Sequence, residues 1–219
     1  MTVSSSSIMD FQSTNVVNVN GRHSGKMTLV DNIDNSQRRE IEQCIPLFRK
    51  ALDKITVNNN GSLKGVVDPK RNGCVITLCK ILDNILLERK YNPKTRSIKL
   101  SNKLFRERVG SIPGGVDILL ACKFTYTTIQ SKSNDAKKNL NGNAPANAIK
   151  LTKDKENRSL IVAARRYMHE YGNRVMMLKP GKHRNELPPY VIQDDVSRDV
   201  LQIIRQNVDA VIAEGSHNC

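Results

Sequence analysis

Apolar positions first fall into a regular order at Ile41. Ile41, Ile45, Phe48, Leu52 and Ile55 step by four, three, four and three, which predicts one buried stripe on a helix from about Ser36 to Ile55, with Ser36 as its N-cap. Asn58-Asn59-Asn60-Gly61 breaks that pattern, and 58–72 reads as a linker or loop. A second helix is predicted from about Gly73 to Arg89. Its apolar face, Val75, Leu78, Ile81, Leu82, Ile85 and Leu86, is wide enough for the central helix of a bundle. Asp83 and Asn84 sit on or beside that face, so this polar pair is either solvated or used. Tyr91-Asn92-Pro93-Lys94 is a turn. Arg96-Ser97-Ile98-Lys99-Leu100 then alternates polar and apolar, which predicts a short strand. Ser101 or Asn102 caps a short helix carrying Leu104, Phe105 and Val109. Pro113-Gly114-Gly115 interrupts the chain before another short helix with Val116, Leu119, Leu120 and Phe124, and Asp117 in its first turn.

The later chain repeats the alternation of order and interruption. Ala148 to Leu151 is a candidate strand. A helix follows from about Asn157 to Tyr171, with Leu160, Ile161, Ala164, Met168 and Tyr171 on one face, and Gly172 as its stop. Residues 172–195 form a basic connector with Arg174, Lys179, Lys182, His183 and Arg184. The last helix, about Ser197 to Ala213, carries Val200, Ile203, Ile204, Val208 and Val211. That stripe must bury against the preceding domain, another copy of the chain, or a partner. Two segments lack periodicity: 1–34, expected to be a disordered arm, and about 127–147, expected to be an inserted surface loop. The organisation is therefore an arm over 1–34, an ordered domain over 35–171, the connector, and a C-terminal helix and tail over 196–219.

Composition narrows the chemistry. Hydrophobic residues are 38% and charged residues 26% of the 219, which supports one modest core with much solvated chain around it. Trp is absent, so the core is mostly Ile, Leu and Val. A formal net charge of +14 favours anionic partners: nucleic acid, anionic lipid or acidic peptide. No apolar run approaches the ~18–20 residues that span a bilayer. The Ser- and Asn-rich start lacks the basic and apolar regions of a secretory signal. Of the five Cys none forms a CxxC pair, and four lie in helix-like patterns, which predicts buried free thiols in a reducing compartment and no zinc site. The expected setting is cytoplasmic, or else nuclear. Phosphate-binding glycine motifs and a nucleophile turn are absent, and the four His are scattered. His169 is expected to face solvent. No cofactor, metal or catalytic residue is expected, and the chain reads as a non-enzyme.

Three separated motifs carry a family resemblance. Asp83–Leu86 (DNIL), Arg96–Phe105 (RSIKLSNKLF) and Gly114–Phe124 (GGVDILLACKF) resemble, in order and spacing, the PUB (PUG) domain of peptide N-glycanase and UBX-type cofactors. The AIKL strand and the helix with Leu160 and Arg165 are similar to its closing elements. The resemblance covers about 72–171. It implies a mainly α (α+β) fold: a small helical bundle with a short two- or three-stranded sheet, here with an extra C-terminal helix. It also implies a partner, the acidic C-terminal tail of the hexameric AAA ATPase called Cdc48 or valosin-containing protein, and a place in ubiquitin-linked protein quality control. Carried over by position, the peptide-binding residues are Asn84, Lys94, Thr95, Lys99, Asn102 and Phe105. Thr95 stands where many members have Tyr, which removes a stacking face worth about 0.5–1.5 kcal/mol. The turn is about one residue longer, and Tyr91 is the expected substitute ring. Lys123 stands where a Gly commonly precedes the Phe.

The residues support an acidic peptide without the family. Lys94, Arg96, Lys99 and Lys103 cluster around one turn and strand, and cations beside Asn84 can grip carboxylates. The bland readings are a solvated basic face, a structural Asn84 and a core Phe105. The alternative function is a basic nucleic-acid-binding protein. It rests on the net charge and the connector, against few aromatics for base stacking.

Overall fold

The structure is a computed structural model, and it describes residues 35–56, 68–128, 146–183, 185–190 and 196–216. The expected arm, the Asn-rich breaker at 58–61 and most of the inserted loop lie outside the described residues. Six helices and three strands make up the rest, in the expected mainly helical α+β class.

Helix α1 (Asn35–Thr56) buries the whole stripe read from the sequence, Ile41 through Ile55. Ser36 lies inside it rather than capping it. Helix α2 (Pro69–Leu87) is the central helix and touches α1, α4, α5 and the turn after α3. It begins four residues before the expected Gly73. Asp68 accepts the Lys70 amide at 2.9 Å, and Pro69 supplies a pre-set first position, so Asp-Pro was the start signal within the supposed linker. Strand β1 (Ser97–Lys99) leads to α3 (Lys103–Phe105), capped by Asn102, whose side-chain oxygen accepts the Phe105 amide at 3.1 Å. The helix then widens into one π turn, Arg106–Gly110, closed by the Ser111 amide on the Arg106 carbonyl at 2.8 Å.

Helix α4 (Gly115–Ala121) enters through Gly114, which has φ +85°. A Cβ on Gly114 would collide with the Ala51 carbonyl oxygen, and one on Gly115 with that of Val109. The Gly-Gly break is thus the place where α4 and α1 backbones meet. Strand β2 (Thr125–Thr127) follows, then β3 (Ala148–Lys150). The sheet order is β1-β3-β2, antiparallel throughout, with Ile149 opposite both Ile98 and Tyr126. Only β1 and β3 were legible beforehand, because three residues of Thr-Tyr-Thr carry too little alternation to read. The loop expected to be an insertion is therefore the connection of the β2–β3 hairpin.

Helix α5 (Arg158–Arg174) starts at the Asn157 cap, which accepts the Leu160 amide at 3.1 Å. It runs through Gly172, the residue expected to stop it. A Cβ at Gly172 would lie 3.3 Å from Leu187, so this glycine admits the returning strap 178–190 rather than ending the helix. Helix α6 (Arg198–Ser216) settles the question its stripe raised. Val200, Ile204 and Val208 are fully buried in the common core against α1 and α5. Arg38–Asp199 at 3.2 Å, Arg49–Glu214 and Arg174–Asp209 pair at the rim of that contact. Exposed pairs of this kind add little, so apolar burial holds α6 in place. Among the described residues no helix is long and apolar enough to cross a membrane.

Lys123, the position where the family commonly has Gly, takes the left-handed conformation just after α4, at φ 68°. A Cβ is strained there, and the Lys123–Glu40 ion pair at 3.2 Å is half-buried. Comparing two truncations removes the ion pair from both. Lys123→Gly should be more stable than Lys123→Ala by about 1 kcal/mol in urea unfolding, the reverse of their usual order. An alanine variant as stable as the glycine one would show that the backbone relaxes.

Candidate functional site

The sequence-predicted site lies at the C-terminal end of α2, and one buried arginine organises that end. Arg96 is 1% exposed. Its Nε and Nη2 donate to the two Glu156 oxygens at 3.0 and 2.8 Å, and its Nη1 donates to Glu88 and to the Thr95 hydroxyl. Nη2 also reaches the Ile85 carbonyl at 3.3 Å, while Arg158 donates to the Leu86 and Glu88 carbonyls. A helix leaves its last carbonyls without partners. Here two guanidinium groups satisfy them and add favourable charge at the negative end of the dipole. This explains why α2 stops at Leu87, two residues before the expected end.

The network fixes the 88–96 turn. Thr95 donates its hydroxyl to Glu88 at 2.6 Å, and Asn92 donates its side-chain amide to the other Glu88 oxygen at 3.0 Å. The Glu88 carboxyl is held below its ordinary range, first by the Thr95 hydroxyl, with Asn92 and Arg96 adding to the effect. Tyr91 is half-buried. Its hydroxyl donates to the Leu151 carbonyl at 3.1 Å, and the Arg96 guanidinium lies 5.5 Å from its ring centroid. Arg96 therefore does not belong to the solvent-facing cation cluster read from the sequence. Its charge is spent on Glu88 and Glu156.

The other candidates divide into two groups. Asn84, Lys94 and Lys99 are exposed, and among the described residues their side chains make no hydrogen bond or ion pair. Asn84 is on the last turns of α2. Lys94 is on the turn that Arg96 anchors to that helix, and Lys99 ends β1, three residues beyond Arg96. Thr95 and Tyr91 are half-buried and committed to the network. Asn102 is exposed, but its side-chain oxygen caps α3, and Phe105 is 5% exposed and belongs to the core.

Asp83, the neighbour of Asn84, is paired rather than solvated. Arg165, fully buried, holds it through Nε at 2.7 Å and Nη2 at 3.2 Å. The same Nη2 donates to the Pro188 and Pro189 carbonyls at 2.9 and 3.3 Å. Arg165 and Arg166 flank the Tyr190 ring at 5.5 and 4.8 Å, and His169 meets its edge at 6.0 Å. His169 is thus half-buried against the strap, not directed to solvent as expected. Burial, then Arg165 and Arg166, push its pKa down. A basic residue count could not have located this anchor; the pairing of Arg165 with a residue 82 positions earlier is long-range.

Cys44, Cys74, Cys79 and Cys122 are buried and free, and burial pushes the Cys74 and Cys79 thiols up to about 12, which makes them inert at neutral pH. Among the described residues no group of His, Cys, Asp and Glu is placed to hold a metal ion. In the connector, Arg174 pairs with Asp209, while Lys179, Lys182 and His183 are exposed.

Comparison with known proteins agrees with this architecture. The family model of the PUB domain matches residues 68–143, from the Asp68 cap of α2 through β2 into the connection that follows. This stretch, about a third of the chain, is the PUB-domain segment that the three motifs indicated. A PUB domain is a protein-interaction module rather than a catalytic one, so the segment gives the chain an interaction role. No curated protein matches the chain.

Two outcomes follow from the arginine network. Arg96→Met leaves Glu156, only 14% exposed, without its cation, and should cost about 3 kcal/mol by urea unfolding. Adding Glu88→Gln and Glu156→Gln should recover part of that loss; no recovery would mean that packing, not charge, holds Arg96. Glu88 also sets a pH dependence. A carboxyl held below its ordinary value stabilises the fold fully above about pH 4.3, and that contribution is lost as pH falls through the lower folded value. Stability should therefore drop less steeply with acidification below about pH 4.3 in Glu88→Gln than in the unaltered protein. Equal slopes would exclude Glu88 as the titrating group.

Proposed function

We propose that the chain is a non-enzymatic adaptor of ubiquitin-linked protein quality control. In this reading its PUB domain binds the acidic C-terminal tail of a Cdc48/valosin-containing-type AAA ATPase, in the cytoplasm or nucleus. The observation that carries the reading is the division of polar groups at the end of α2. Arg96, Glu88 and Thr95 are consumed by the fold, whereas Asn84, Lys94 and Lys99 face solvent with no internal partner. An exposed amide flanked by unpaired ammonium groups suits a peptide backbone with carboxylates beside it. Asn102 and Phe105 support that surface through the α3 cap and the core, and Tyr91 and Thr95 support it through Arg96. The structure offers Tyr91 as a brace for Arg96, so the tail's aromatic residue meets a shallow, mostly polar surface. Micromolar rather than tighter binding is the consequence, and it should weaken with salt.

Calorimetry with an acidic tail peptide ending near an aromatic tests this reading. Binding should be in the micromolar range and should be abolished by Asn84→Ala with Lys99→Glu. Both side chains are exposed and unpaired, so far-ultraviolet circular dichroism should be unchanged by the double substitution. No heat at millimolar peptide from the folded protein would refute the reading, and binding that survives the double substitution would refute the site.

A further inference from the structure

A cleft of about 850 Å³ opens at the other end of α2, between its first turns and the π turn after α3. Pro69, Lys70, Asn72, Gly73 and Ile76 form one wall, Arg106, Glu107, Arg108 and Ser111 the other, with Asn185 of the strap at the margin. None of the seven candidate peptide-binding residues lines it. Its size falls within the ~300–1,000 Å³ of small-molecule sites.

The charges in this cleft are unbalanced. Among the described residues Lys70, Arg106 and Arg108 have no ion-pair partner, and the one acid, Glu107, lies 4.0 Å from Lys103, outside the cleft lining. The first turn of α2 holds no acidic residue beyond the Asp68 cap. A lysine at that end opposes the helix dipole, and two arginines facing it add to the repulsion. The helix amides are not what invites an anion. Asp68 already accepts the Lys70, Arg71 and Asn72 amides through its side chain and carbonyl. The guanidinium and ammonium groups are the open donors.

Gly73 is a separate sign. It lies within α2, where glycine is less favourable than alanine by about 1 kcal/mol. Its φ is ordinary, and among the described residues a Cβ there would meet nothing within 4 Å. Neither backbone conformation nor internal packing calls for glycine, unlike Gly114 and Gly115. What glycine does here is leave the helix backbone open on the cleft side, next to the buried floor of Ile76. That combination, cations on both walls and a bare backbone between them, suits a compact ligand with clustered anionic groups.

We propose that this cleft binds a small molecule bearing several phosphate groups, with Arg106 and Arg108 on one side and Lys70 on the other. Phosphate fits better than a single carboxylate because each phosphoryl group brings up to two charges and several acceptor oxygens to forked guanidinium donors. Asn72, Ser111 and Asn185 supply neutral polar contacts, and Gly73 lets the ligand approach the helix. The site is independent of tail binding, since it shares no residue with the Asn84–Lys99 surface.

Inositol hexakisphosphate is a suitable probe, titrated into the full chain by calorimetry at physiological salt. The Arg106→Ala, Arg108→Ala double variant should bind at least about tenfold more weakly, while Lys94→Ala with Lys99→Ala, which removes equal charge elsewhere, should bind as the unaltered protein does. Gly73→Leu should keep or raise the melting temperature yet weaken binding, because it fills the open wall. Equal losses in both charge variants would mean non-specific attraction to a basic surface and would overturn the proposal. So would the absence of heat at millimolar probe, unimpaired binding by Gly73→Leu, or binding of a single-stranded RNA oligonucleotide without binding of the small polyphosphate.

Discussion

Arg96 is the constraint on which the rest of the domain depends. One guanidinium group, removed from water, joins the end of α2, the 88–96 turn, the start of β1 and the segment that leads into α5. Burying a charge costs several kcal/mol unless it is paired and its donors are filled. Two carboxylates, a hydroxyl, a carbonyl and an aromatic face meet that requirement. Because the partners come from two separate stretches, 85–95 and Glu156, the network closes only when those stretches are docked together. It therefore fixes which way the turn presents Lys94 and how β1 leaves the helix. Arg165 plays the same part further along, tying Asp83 to the strap and so holding the face from which Asn84 projects.

The two arginines show why a net charge of +14 is a poor guide to where a partner binds. Buried cations and rim cations such as Arg38, Arg49 and Arg174 serve the fold and are neutralised locally. Among the charges left over, two groups flank α2. Lys94 and Lys99 stand beside Asn84, and Lys70, Arg106 and Arg108 stand around Gly73. Helix α2 thus carries unpaired charge at both ends and a structural arginine network at one.

The PUB segment is also not a free-standing unit in this chain. The matched residues 68–143 hold α2, β1, α3, α4 and β2, but the α1, α5 and α6 stripes complete a single apolar core with them. The apolar stripe of the C-terminal helix, which left several destinations open, lies in that core.

By itself the sequence determined the helices, the class of fold and the PUB resemblance, because each of these rests on local periodicity or on short motifs in order. Ile41 to Ile55 and Val200 to Val211 announce their buried faces at helical spacing, and Gly-Gly at 114–115 announces a break in the chain. It also placed Phe105 among core candidates and Asn102 among caps. What it could not decide is which polar residues the fold consumes. Arg96 and Lys99 look alike in an alternating strand, as do Asp83 and Asn84 on a helix. One member of each pair is bound by a residue from far along the chain, Glu156 and Arg165 respectively, and the other is left to solvent. Desolvation and pairing are properties of the folded chain. For that reason only the tertiary structure separated the charges that build this protein from the charges it has available to bind with.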